Sequence, residues 1–293
     1  MIEQHPLAFL LGIEGVALLR AFAGEHDATF TEARLQGIRR LLDAADQLGP
    51  VVSIDPLPTN EAYDAWADSY DEPGNELVEI EQRVVWEILD TLPPGVALDA
   101  ACGTGRHAAR LEQLGHTVIG LDGAAGMLER AKAKVPSGTF HQADLHALPL
   151  PDAQVDLVVC GLALMHVPEL DPVLAEFVRV LKPGGSIVLS DRSRLQDAAG
   201  APIVKVTSDG RVGYVPEWNH TAGEYVRAAL GRGLRIVRCE EPLRPSPILR
   251  DPDPPEHVPG APANPWALMP KIRDAANAAH RGKPIAIVWH FER

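Results

Sequence analysis

Three acidic residues stand at the ends of successive short apolar runs. Asp99 lies in Leu98-Asp99-Ala100, just ahead of Cys102-Gly103-Thr104-Gly105. Asp122 ends the run from Thr117 to Leu121, and Asp144 follows Gly138 to His141 in Ala143-Asp144-Leu145. Glycines between an extended run and a helix permit a tight turn and let a ligand lie against bare backbone at the helix N-terminus. That loop alone is ambiguous, because Gly103, Gly105 and Ala108 also fit the dinucleotide pattern G-x-G-x-x-[GA]. Asp122 is placed to accept hydrogen bonds from ribose hydroxyls. A carboxylate such as Asp99 beside the loop would repel a pyrophosphate but suits a ligand carrying an ammonium and a sulfonium. Asp144 can accept from an exocyclic adenine amine at the ligand's other end.

Further residues could act on a second substrate. His166, in Leu164-Met165-His166-Val167, follows the fourth strand run, and His220 follows Tyr214-Val215-Pro216-Glu217-Trp218. Either could remove a proton from a hydroxyl acceptor. The alternative is that His166 packs a turn and His220 merely opens a helix. Tyr214 and Trp218 offer a stacking wall, and Asp191-Arg192 a contact for a polar substrate, or else a surface ion pair. Upstream, Tyr63, Trp66 and Tyr70 recur at near-helical spacing and serve either as a cover over a ligand or as ordinary core.

The elements that must hold these residues alternate regularly. Strands are expected at 96–100, 117–121, 138–141, 155–160 and 186–191, with helices at 105–114, through Met127, Ala131 and Val135, and through Val173, Phe177, Val178 and Leu181. Such alternation implies a parallel sheet covered by helices on both faces. Asp209-Gly210 marks a hairpin between 203–206 and 211–215. A helix at 221–230 and strands at 234–239 and 285–291 follow, while Pro242 to Pro270 is too rich in proline for a regular element. Two helices precede the alternation. The first carries Phe9, Ile13 and Val16 beside a second stripe of Leu11, Leu18 and Phe22, so it must be buried against its own domain, a substrate or a second subunit. Thr29 and Glu32 match a capping box for the next, whose face carries Ile38, Leu41, Leu42, Ala45 and Leu48. Gly49-Pro50 stops it, and Pro56 to Asn60 reads as a linker. The expected division is a helical cap over 1–59 and an α/β domain over 60–293, with a hairpin and proline-rich insertion at about 196–283.

Residues 96–191 resemble the core of class I S-adenosylmethionine-dependent methyltransferases, in the glycine loop, the ribose acid, the adenine-end acid and the Leu-Lys-Pro-Gly-Gly turn at 181–185. The resemblance covers about a third of the chain. It implies a Rossmann-like doubly wound sheet of strand order 3-2-1-4-5-7-6, the seventh strand antiparallel. It carries cofactor roles to Asp99, Gly103, Gly105, Asp122 and Asp144, with Leu145 beside the last. Met127 would flank the adenine, and Cys160 and Gly161 would lie near the methionine moiety. The stretch Tyr63-Asp64-Ala65-Trp66-Ala67-x-x-Tyr70-Asp71 also resembles small-molecule methyltransferases, in which such aromatics cover the cofactor. The implied activity is methyl transfer to a small-molecule O- or N-nucleophile, yielding S-adenosylhomocysteine, with no metal. The competing readings are an NAD-dependent oxidoreductase, a nucleic-acid methyltransferase, which the acidic balance opposes, and a non-methylating S-adenosylmethionine-binding protein on the same scaffold, either a regulator or an enzyme using the sulfonium for another reaction.

Composition narrows the partners. With 46% hydrophobic and 23% charged residues the chain is ordinary for a globular enzyme, and its formal net charge of −13 opposes nucleic acid and anionic membranes. Cys102, Cys160 and Cys239 form neither a disulfide framework nor a zinc pattern. The stretch from Pro6 to Phe22 lacks a preceding basic region and is interrupted by Glu14 and Arg20, which fits neither a signal peptide nor a membrane span. A cytoplasmic enzyme is expected, with the N-terminal helices available as a homodimer surface.

Overall fold

The computed structural model describes residues 1–193, 202–245 and 256–293. Its centre is a seven-stranded sheet, and the reason lies in period-two patterning. In β3 (Val96–Ala100), Ala97 faces one core and Leu98 the other; Val118 and Ile119 of β4 (Thr117–Asp122) alternate likewise. The same holds for Leu157 and Val158 of β6 (Val155–Gly161) and for Ile187 and Val188 of β7 (Leu181–Arg192). Strands apolar on both sides need helices on both faces. On one face lie α5 (Glu76–Leu89) and α6 (Arg106–Gln113), contributing Val85, Ile88, Leu89, Ala108 and Leu111. On the other, α8 (Leu170–Val180) and α9 (Ala222–Gly231) supply Val173, Leu174, Phe177, Tyr225 and Ala229.

With β5 (Thr139–Gln142), β10 (Arg235–Glu240) and β11 (Ala286–Glu292) added, the strands lie in the order β5-β4-β3-β6-β7-β11-β10. Counted within this sheet alone, that is the expected 3-2-1-4-5-7-6. β11 runs antiparallel to β7, register Trp289 opposite Leu189, and the other pairings among β3 to β7 are parallel. The fifth strand begins earlier than expected: β7 runs through the Lys182-Pro183-Gly184-Gly185 turn, where Gly184 takes φ of 80° and donates to the Arg293 carbonyl. The helix α7 (Ala125–Lys134) bridges β4 and β5.

A second sheet was not anticipated. β1 (Ile2–Gln4) and β2 (Val52–Pro56) pair antiparallel, and β2 pairs parallel with β9 (Val212–Tyr214), which forms the foreseen hairpin with β8 (Val204–Val206). The stretch expected as a linker therefore ends a strand, and Thr59 already opens α4 (Thr59–Trp66). Strands of three to five residues carry too little alternation to be read from sequence.

The N-terminal helices form as expected, with two corrections. α1 (Pro6–Phe22) buries only one side: Leu10, Ile13 and Ala17 pack on Ala275, Ala276 and Ala279 of α11 (Arg273–His280), whereas Phe22 is 93% exposed. α2 (Ala28–Asp43) is capped by Asp27, which accepts from the Phe30 amide at 2.8 Å, and not by Thr29. The short α3 (Ala45–Leu48) ends at Gly49 as foreseen, but Leu42 is exposed. Of the proline-rich stretch, 246–255 lies outside the described residues, as does 194–201; its end forms α10 (Pro265–Leu268) and a 3-10 turn, Met269–Ile272. No helix among the described residues is long and apolar enough to cross a membrane.

Candidate active site

At the carboxyl ends of β3, β4 and β6 opens a cavity of about 500 Å³. Its wall carries Gly103, Asp122, Asp144, Leu145 and Gly161, with Tyr63 and Tyr70 over it. Asp122 is fixed from behind: Oδ2 accepts from the Gly103 amide at 2.7 Å and Oδ1 from the Ala124 amide at 2.8 Å. A carboxylate has room for about four hydrogen bonds, so acceptor capacity remains for a ligand diol. Burial raises its pKa, opposed by those amides. Gly103 sits at φ of 52°, and a Cβ there would meet nothing within 4 Å, so the loop presents bare backbone to open space. Ala101, also on the wall, holds φ of 56°, a left-handed pose that costs a non-glycine residue energy.

Asp144 is largely exposed at the far end of the cavity wall, its Oδ1 accepting from the His146 amide at 2.8 Å and meeting the His146 ring at 2.6 Å. The His146 amide is the largest cause of its lowered pKa.

Other sequence candidates lie behind the wall. Asp99 is buried and does not line the cavity; its Oδ2 accepts from the Ala108 amide at 2.8 Å, which anchors the first turn of α6. Burial pushes its pKa up to about 7. Asp99 therefore faces the helix and not the ligand space, and its charge does not bar a pyrophosphate there. Gly105 is also behind, at φ of 81°, where a Cβ would come within 3.0 Å of the Ala131 backbone. Met127 and Cys160 are fully buried; Met127 packs under Tyr63 and Tyr70. Cys160 belongs to the core of the sheet, so Gly161 alone of that pair reaches the cavity.

A second, smaller cavity of about 210 Å³ adjoins the first. Tyr63, Tyr70 and Leu162 line both and so form the neck between them. At this neck the Tyr63 hydroxyl lies 2.8 Å from His166 Nε2. His166 Nδ1 is 3.1 Å from the Pro216 carbonyl, which can only accept, so Nδ1 carries the proton and Nε2 accepts from Tyr63. Burial lowers the His166 pKa and keeps the ring neutral. Leu162 is a further left-handed residue, φ of 56°, turning the chain sharply after β6.

His220 is not on either cavity. Its Nε2 donates to the Val167 carbonyl at 2.9 Å, a brace for the chain before α9, which corrects its reading as a base. Tyr214 and Trp218 also line neither cavity, Tyr214 being committed to β9. Arg192 does line the second cavity and pairs with Glu217 at 2.8 Å. Asp191 is buried, accepting from the Tyr225 hydroxyl at 2.7 Å. Sequence reasoning missed Asn60, His146, Arg244 and His280, which come from segments lacking a recurrent spacing. Among the described residues no group of three or more His, Cys, Asp or Glu could hold a metal.

Comparison with known proteins fits this geometry. Residues 98–189 match the model of a methyltransferase domain. Over that stretch the chain is similar to class I S-adenosylmethionine-dependent methyltransferases. Among curated relatives, a malonyl-[acyl-carrier protein] O-methyltransferase of Yersinia pestis is 36% identical over 48% of this chain and 52% of its own. A demethylmenaquinone methyltransferase of Renibacterium salmoninarum is 34% identical over 48% of this chain and 62% of its own. The chain thus spans about half to three fifths of the length of these relatives. A solved S-adenosylmethionine-dependent methyltransferase from Mesorhizobium loti shares the fold, with TM-score 0.51 and 22% identity over 74% of this chain and 100% of that one. The cavity has the features an S-adenosylmethionine site requires: a carboxylate with spare acceptor capacity at the end of β4, and bare glycine backbone after β3.

Proposed function

We propose that this chain transfers a methyl group from S-adenosylmethionine to a small-molecule O- or N-nucleophile. The observation that carries the reading is the pair of cavities meeting at a neck where Tyr63 donates to a neutral, tautomer-fixed His166. Asp122 would hold the ribose diol, Asp144 and Leu145 the adenine end, and Gly103 and Gly161 the space nearer the methionine moiety. Bound there, the cofactor supplies a methyl carbon already activated by its sulfonium.

Displacement at such a carbon asks the protein mainly for alignment and exclusion of water. The aromatic neck serves both. A hydroxyl acceptor also needs somewhere to put its proton. Tyr63 can accept that proton as it passes its own to His166 Nε2, so the buried phenol never carries charge. This matters because burial raises the Tyr63 pKa well above that of a free phenol and opposes a standing phenolate. An amine acceptor would use the same neck without the relay.

A cofactor-binding regulator on the same scaffold needs neither the second cavity nor the relay, so both features favour turnover. Calorimetric titration with S-adenosylmethionine, S-adenosylhomocysteine and NAD tests the cofactor assignment. Binding of both sulfur ligands without NAD is expected; binding of NAD alone would overturn it.

A further inference from the structure

The second cavity holds an anomaly. His280, at the end of α11, is 3% exposed, and neither ring nitrogen has a hydrogen-bond partner among the described residues. A buried polar group is normally paired, and an unpaired one marks a site completed by something else. His280 lines this cavity and not the first. Burial, then the charges of Arg244 and Lys283, depress its pKa to about 4, so the ring is neutral. Arg244 lines the same cavity, with Nε 3.1 Å from Glu76. The remaining wall is largely aromatic and aliphatic, including Phe9, Trp66, Trp266 and Met269.

We propose, resting on the methyl-transfer reading, that this cavity is the acceptor site and takes a small aromatic hydroxy acid, its carboxylate against His280 and Arg244 and its hydroxyl at the neck beside Tyr63. The aromatic wall matches a flat ring, and a volume near 210 Å³, less than half that of the first cavity, limits its size. The imidazole N–H donates to the carboxylate. In the transfer the hydroxyl oxygen bonds the methyl carbon while the carbon–sulfur bond breaks, leaving its electron pair on sulfur. The hydroxyl proton goes to Tyr63, whose own proton goes to His166.

The test measures binding of 4-hydroxybenzoate and of phenol to the full chain, with and without S-adenosylhomocysteine, by calorimetry and by the fluorescence of Trp66 and Trp266. 4-Hydroxybenzoate should bind at least about tenfold more tightly than phenol. His280→Leu should erase that difference while leaving S-adenosylhomocysteine affinity and the thermal midpoint unchanged. A protein that binds S-adenosylhomocysteine but prefers phenol, or a variant that keeps the wild-type preference, would overturn the proposal. Absence of S-adenosylhomocysteine binding would instead sink the methyl-transfer reading, and the measurements without it would still decide whether the cavity selects the carboxylate.

Discussion

At the scale of single residues, Asp122 and the Tyr63–His166 pair make separable predictions. Asp122 is held by two backbone amides with acceptor capacity to spare, so its loss removes charge-assisted hydrogen bonds to a diol. Asp122→Ala should weaken S-adenosylhomocysteine binding by about 1.5–3 kcal/mol, roughly ten- to hundredfold, as read by calorimetry. An unchanged affinity would remove Asp122 from the site. His166 contributes in a different way, since its ring reaches reacting atoms only through Tyr63. His166→Gln should lower kcat for a hydroxyl acceptor by about 10²–10⁴-fold and leave cofactor affinity within a few-fold. A loss confined to KM would mean that the histidine only shapes the neck.

At the scale of elements, the period-two runs 96–100, 117–121, 155–160 and 186–191 were readable because each strand is buried on both faces and lies between helices of clear period. Residues at their carboxyl ends were correspondingly legible, and Gly103, Asp122 and Gly161 reach the cavity, as does Asp144 after the more exposed β5. Asp99 did not follow, because alternation marks a strand but not whether a polar side chain near its end meets a helix or a ligand, and Asp99 meets the Ala108 amide. The second cavity was largely illegible: Phe9, Arg244 and His280 converge only when α1, α11 and the chain before β11 pack together. Ala101 exposes a related gap. Its left-handed backbone after β3 suits glycine, yet the sequence has alanine there. Ala101→Gly should relieve roughly 1–2 kcal/mol of strain, offset by about 0.5–1 kcal/mol of unfolded-chain entropy. Chemical denaturation should therefore show a small stabilisation, and a clear destabilisation would mean the alanine methyl makes a contact that matters more than the strain.

Over the whole molecule, buried ionisable groups set how stability responds to pH, and they pull in opposite directions. Glu81, fully buried beside Arg106 at 2.7 Å and near His107, is lowered to about 2, burial opposing and the Arg106 charge favouring its ionised form. Its folded state thus holds fewer protons than the unfolded chain, and its stabilisation is lost as pH falls from about 4.5 toward about 2. His280, lowered to about 4, makes the fold gain stability as pH rises from about 4 to 6.5. Asp191 does the reverse. Burial raises it from 3.8 to about 7, so between those values the folded chain holds a proton that the unfolded chain has released, and stability falls as pH rises. Because these contributions overlap, a simple stability curve would mix them, whereas a difference between wild type and Asp191→Asn isolates one. The asparagine keeps the shape beside Tyr225 but cannot ionise. The wild-type stability minus that of the variant should decline by up to about 1.4 kcal/mol per pH unit between about pH 5 and 7. Above about pH 7 Asp191 is ionised in both states, and the difference should level off. A difference that stays flat across the range would show that Asp191 is ionised in the folded protein throughout, so that its contact with Tyr225 is charge-assisted and the end of β7 carries a standing negative charge beside Arg192.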